Sequence, residues 1–212
     1  MRFAGIAWDV DGTLVDSEGR HHRALLAASR RWGVDLGDLP EAAFRGLHNE
    51  DVWDRLRTRM PRHLDVATWL AAIDDAYVAD RDTIPAMPGA VAAMRGLAAR
   101  GIPQVCVSNS NRRIVHANLD ALGVTDLVAG IVALDDVARG KPDAEPYLAG
   151  CGLLGLPPAA VIAVEDSGTG VAAARAAGLF VVGFAAPGVA APPGADRAAA
   201  DLGAVLSLFN AG

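Results

Sequence analysis

The chain has 212 residues, 52% of them hydrophobic and 21% charged, and carries a formal net charge of -6 at pH 7. This length fits one to two domains with a sizeable core, and this balance of residues excludes a disordered chain. The acidic surplus, with no basic run, argues against a nucleic-acid partner, and no apolar stretch reaches the roughly 18 residues that span a bilayer, so a cytoplasmic protein without a membrane partner is expected.

Residues 3–8 form an apolar run that reads as a buried strand and ends in Asp9-Val10-Asp11-Gly12-Thr13. In extended or just-turning backbone Asp9 and Asp11 point to the same side. Two carboxylates that close are costly unless a cation lies between them or one carries a proton. The pair therefore fits either a magnesium-type site or a strand that ends in an Asx turn. Helical periodicity follows over residues 17–32, with Ser17 as N-cap and Gly33 at the end. Pro40 opens a second helix through residue 47, residues 50–60 read as a third, and residues 65–79 as a fourth with Trp69, Leu70, Ile73 and Tyr77 on one face. An all-helical unit thus follows directly on the first strand.

From Pro85 the pattern alternates. Helices are expected over residues 88–100, 111–122, 143–154 and 168–177, with strands over 103–107, 131–134, 160–164 and 179–184. A loop rich in proline and glycine, 185–193, precedes a last helix over 202–209. Short apolar strands joined by such helices imply an α/β fold with a parallel sheet covered on both faces. In such sheets ligands bind beyond the carboxyl ends of the strands. The unusual polar groups of the chain sit there: Asp9 and Asp11, Ser108-Asn109-Ser110-Asn111, Lys141-Pro142, and Glu165-Asp166-Ser167-Gly168. Ser108 to Asn111 can be a helix cap or an anion site, and Glu165 with Asp166 a capping turn or a second acidic pair. Taken as a set, they read as a magnesium ion held by acids and a phosphate held by Ser108, nearby N–H groups and Lys141. Residues 168–173 imitate a dinucleotide-binding glycine pattern, but Glu165 and Asp166 stand where they would repel a pyrophosphate. Of the 19 basic residues eighteen are arginine, which singles out Lys141, and the two isolated cysteines, Cys106 and Cys151, read as buried thiols.

The ordered motifs Asp9-Val10-Asp11-Gly12-Thr13, Ser108-Asn109, Lys141-Pro142 and Glu165-Asp166-Ser167-x-x-Gly170 resemble those of the haloacid dehalogenase superfamily, in its phosphatase and phosphomutase branch. The resemblance implies a Rossmann-like catalytic core of residues 1–15 and 86–212 with an inserted helical cap of residues 16–85 that closes over the substrate. It implies Asp9 as the nucleophile that forms an aspartyl phosphate and Asp11 as the acid and base. It implies Mg2+ on Asp9, the Asp11 backbone carbonyl, Asp166 and Glu165. Ser108, Asn109 and Lys141 are then substrate-binding, with His21, His48 and Asn49 as further candidate contacts. His21 stands where related mutases have a histidine that helps position the acid/base aspartate. The expected function is Mg2+-dependent hydrolysis of a small phosphorylated metabolite by a monomer or weak homodimer. The alternatives are a β-phosphoglucomutase-like hexose-phosphate mutase, against which the absence of lysine in residues 16–85 counts, and a non-catalytic phosphate-binding protein.

Overall fold

The computed structural model describes residues 3–44, 49–186 and 188–209. They fall into two compact units, divided after Asp16 and after Ile84. In the first unit six strands make one parallel sheet: β1 (Gly5–Trp8), β2 (Gln104–Val107), β3 (Gly130–Val132), β4 (Val161–Glu165), β5 (Phe180–Phe184) and β6 (Arg197–Ala199), in the spatial order β3-β2-β1-β4-β5-β6. This is the α/β sheet expected from the alternation. β6 is an addition that the pattern missed, because a three-residue edge strand with an exposed arginine carries no apolar run.

Strands β1, β2 and β4 are buried along their whole length, which explains why they read as apolar runs instead of alternating ones. The core between sheet and helices centres on Ala7, Val105, Val107, Tyr147, Ala163, Val171 and Val181. One polar link crosses it. Trp8 Nε1 donates to Gln104 Oε1 at 2.9 Å, and Gln104 Nε2 donates to the Met94 carbonyl at 2.9 Å, so the buried amide is paired at both ends. The helix between β2 and β3 (Arg112–Leu122) is capped by Asn111, whose side chain accepts from the Ile114 N–H, and is stopped by Gly123 in the left-handed region. The segment at 202–209 is a 3-10 helix.

The second unit is helical, with α1 (Glu18–Arg30), α2 (Asn49–Leu56) and α3 (Val66–Ala79). Where a helix from Pro40 was expected, a single 3-10 turn spans Glu41–Ala43, and residues 45–47 of that expectation lie outside the described residues. Helix α2 stops at Leu56, four residues early, and turns follow. Trp69 of α3 is fully buried and donates to Ser29 Oγ of α1 at 3.0 Å. Arg20, 2% exposed, donates to the Tyr77 carbonyl, to Asp80 Oδ2 at 3.1 Å and to Thr83 Oγ1 at 2.8 Å, so it closes the C-terminal end of α3 with a charged cap. Among the described residues no helix is long and apolar enough to cross a membrane.

Two outcomes follow from this packing. Trp8→Phe removes the indole donor from Gln104 Oε1, and a buried acceptor left unpaired costs about 1–3 kcal/mol, readable as a lower urea midpoint at unchanged slope. Both cysteines are free and buried; burial pushes the Cys151 thiol up to about 11, and burial with the nearby Asp9 pushes Cys106 up as well, against the opposing pull of Lys141. At pH 8 roughly one Cys151 in a thousand is thiolate, so both thiols resist iodoacetamide in the folded protein and react once guanidinium unfolds it.

Candidate active site

The loops after β1, β2, β3 and β4 converge at one end of the sheet. Register decides the first meeting: Trp8 of β1 pairs with Val164 of β4, and the Asp9 N–H donates to the Val164 carbonyl at 3.0 Å, so the next residues, Asp9 and Glu165, come side by side. The chain then turns at Gly12, where φ is +83° and a Cβ would lie 2.2 Å from Asp166 Oδ2. Only glycine fits that turn. Thr13 Oγ1 donates to Asp166 Oδ1 at 3.3 Å, and oxygens of Asp9, Glu165 and Asp166 all lie within 4.8 Å of one another.

Lys141 arrives from the loop after β3 and is buried with all three of its protons engaged: Nζ lies 2.7 Å from Asp9 Oδ1, 2.6 Å from Glu165 Oε1 and 2.9 Å from the Val107 carbonyl. Asn109 fixes the backbone that carries this ammonium. Its Oδ1 accepts from the Lys141 N–H at 2.8 Å and its Nδ2 donates to the Lys141 carbonyl at 3.0 Å. Glu165, fully buried, also accepts from the Tyr147 hydroxyl at 2.6 Å and from Ser167 Oγ at 3.2 Å, while Ser167 caps the helix Gly168–Ala176 by accepting from the Gly170 N–H. A Cβ at Gly170 would stand 2.0 Å from the Glu165 carboxyl, so the helix start can approach the acid this closely only because Gly170 is glycine.

Asp11 faces a different set. Its Oδ2 accepts from Ser110 Oγ at 2.8 Å and from Ser108 Oγ at 3.3 Å, and its Oδ1 accepts from Asn118 Nδ2 at 3.1 Å. Of the remaining sequence candidates, His21 lies on α1 with its ring against Tyr77, centroids 4.6 Å apart. His48 lies outside the described residues, as does the side chain of Asn49, the first residue of α2. Sequence reasoning passed over Asn118 and Tyr147, and it quoted Ser167 in the fourth motif without giving it a role. A signal for Asn118 was present, since it is an amide on the apolar stripe formed by Ile114, Val115 and Leu122 at helical spacing.

The electrostatics call for a cation. Were all three carboxyls ionised, the one ammonium would leave two negative charges uncompensated in a largely buried cluster. Burial, then Glu165 and Asp166, pushes Asp9 well above the usual carboxylate range despite Lys141, and burial with Glu165 pushes Asp166 up to about 6. Burial alone lowers an ammonium, yet Asp9 and Glu165 hold Lys141 above its ordinary value, so it remains charged. Asp9 Oδ2 is buried and has no hydrogen-bond partner among the described residues. An orphaned carboxylate oxygen, an all-oxygen donor set and a twofold charge surplus fit a hard divalent ion such as Mg2+.

The model of the haloacid dehalogenase-like hydrolases matches residues 3–178. The chain belongs to the haloacid dehalogenase-like hydrolases. Within this family it is an enzyme of the phosphatase branch. It is 33% identical over 88% of its length to hexitol phosphatase A of Escherichia coli, covering 85% of that protein. It is 32% identical over 84% of its length to validoxylamine A 7'-phosphate phosphatase of Streptomyces hygroscopicus subsp. limoneus, covering 83% of it. A crystal structure of a CbbY mutant from Rhodobacter sphaeroides in complex with xylulose-(1,5)bisphosphate is similar with a TM-score of 0.80 at 27% identity, over 95% of each chain.

The charge surplus gives a measurable outcome. Added Mg2+ stabilises the metal-stripped protein at neutral pH by about 2.7 kcal/mol at a hundredfold excess over Kd, which is read as a higher unfolding temperature. Asp166→Asn raises the Mg2+ concentration needed by on the order of tenfold or more, as read from thermal scans against Mg2+ concentration.

Proposed function

We propose that this enzyme is a Mg2+-dependent phosphomonoester hydrolase of a small polyhydroxylated metabolite, and that it works through an aspartyl phosphate on Asp9. One observation carries the reading: the buried Asp9 carboxylate has one oxygen on Lys141 and the other without a partner among the described residues, with Glu165 and Asp166 beside it. Asp9 attacks phosphorus while the bond to the substrate oxygen breaks, and Asp11 gives its proton to the departing alkoxide. Asp11 then takes a proton from the water that attacks the phosphoenzyme and frees Asp9 as a carboxylate. Lys141 offsets the charge of Asp9 against an anionic substrate, and on turning one of its three protons from its present partner it holds phosphoryl oxygens with Ser108 in the transition state. Mg2+ held by Asp9, Glu165, Asp166 and the Asp11 backbone carbonyl supplies, when bound, the remaining positive charge at the phosphoryl group.

In this reading residues 1–15 and 86–212 are the catalytic core and residues 16–85 a cap that sets substrate choice. A hexitol phosphatase, a validoxylamine 7'-phosphate phosphatase and a protein bound to xylulose bisphosphate support a polyol or sugar phosphate as substrate class. A mutase has to hold a bisphosphate at both ends; residues 16–85 contain no lysine, so that grip would fall to their arginines.

The test is phosphate release from a panel of polyol, sugar and acid phosphates, with Mg2+ or with EDTA. Release depends on Mg2+, and Asp9→Asn lowers turnover at least roughly a thousandfold, the scale seen when other catalytic nucleophiles are removed. Release that survives Asp9→Asn overturns the nucleophile assignment. Conversion of glucose 1-phosphate to glucose 6-phosphate with little free phosphate moves the enzyme to the mutases.

A further inference from the structure

The geometry points to Asn118, together with Ser110, as positioning residues that hold the Asp11 carboxylate in the direction from which it serves the departing oxygen. The inference rests on the reading of Asp11 as general acid. Asn118 is fully buried on the helix Arg112–Leu122, among Ile114, Val115, Leu119 and Leu122. An amide in such surroundings is costly unless its polar atoms are paired, and an aliphatic side chain would pack there without that cost. The Asp11 carboxylate supplies a partner 107 residues away in sequence, with Asn118 Nδ2 at 3.1 Å from Oδ1. The other oxygen is gripped from the loop after β2, by Ser110 Oγ at 2.8 Å.

The two grips come from two elements, so they fix the rotation of the carboxylate about its own axis as well as its place. Asn118 is buried within the helix packing, and it bears on the chemistry through Asp11. Ser108 also reaches Oδ2, at 3.3 Å, and its own hydroxyl accepts from the Ser110 N–H at 2.9 Å, which ties the loop to the same carboxylate. These three donors are uncharged, and they set the direction of the carboxylate through hydrogen-bond geometry.

The step served is the first transfer. A new bond forms from an Asp9 carboxylate oxygen to phosphorus, the phosphorus–alkoxide bond breaks with its electron pair on the leaving oxygen, and that oxygen takes the Asp11 proton. A leaving group that is stable as an anion does not need the proton. An alkoxide does. The consequence is a dependence on the leaving group that a loss of packing does not produce.

The experiment compares kcat/KM for an alkyl ester, a hexitol or glycerol phosphate, with that for p-nitrophenyl phosphate, in Asn118→Ala, Ser110→Ala and Asp11→Asn, each checked for folding by its thermal midpoint. General acid catalysis contributes about 100- to 10,000-fold, and a misdirected acid loses part of it, so Asn118→Ala and Ser110→Ala lose about 10- to 100-fold on the alkyl ester and no more than about threefold on the aryl ester. Asp11→Asn shows the same selectivity with a larger alkyl loss. Equal losses on both esters in the Asn118 and Ser110 variants, with Asp11→Asn still selective, overturn the positioning role alone. Equal losses in Asp11→Asn itself overturn the acid assignment and the positioning role with it. Where Asn118→Ala does not fold, Ser110→Ala, a small change on a half-buried loop residue, decides by the same comparison.

Discussion

Like charge held at close range under burial is the constraint around which the site is built. Asp9 and Glu165 stand side by side because β1 and β4 are adjacent parallel strands in matched register, and Asp166 follows at once. Left alone, three carboxylates this close would protonate or push apart. Lys141 offsets one charge from the third loop, Asn109 clamps the Lys141 backbone from the second, and Tyr147 and Ser167 donate to the buried Glu165. Each of the first four strands therefore contributes at its carboxyl end. A change of order in the sheet would separate the acids from their counter-charge.

The same constraint explains why two glycines cannot be exchanged. At Gly12 the backbone turns against Asp166 in a left-handed conformation, and at Gly170 a helix start lies directly on the Glu165 carboxyl. In both places the acid occupies the volume a side chain would need. Gly140 has a similar neighbour, since a Cβ there would stand 2.7 Å from Asn109 Oδ1, the atom that receives the Lys141 N–H. The first motif, the fourth motif and the lysine loop thus share one physical requirement, close approach of backbone to a polar group.

What could be read from the chain beforehand was what is local. Apolar runs that end abruptly in Asp9, Ser108 and Glu165 mark strand ends, and the lone lysine among arginines marks Lys141. Asn118 reaches Asp11, and Tyr147 reaches Glu165, through tertiary packing, and a tyrosine within a helix of mixed composition gives no sign that its hydroxyl meets a buried acid. The short turn at Glu41–Ala43 and the edge strand Arg197–Ala199 were hidden for the opposite reason, being too brief to set up a period. In the helical unit, periodicity located α1 and α3, but not the buried Arg20 that binds the end of α3. A charged side chain on a helix reads as solvent-facing until its partners are known.

The burial of Lys141 also defines how this protein meets reagents. With eighteen arginines and a single, buried lysine, the basic side chains at the surface are guanidinium groups, which acylating and cross-linking agents for amines leave untouched. Its one side-chain amine is enclosed, bonded to two carboxylates and a carbonyl, and kept protonated. An amine-directed label therefore finds no side chain on the folded surface, and its attachment at Lys141 becomes a report that the site has opened.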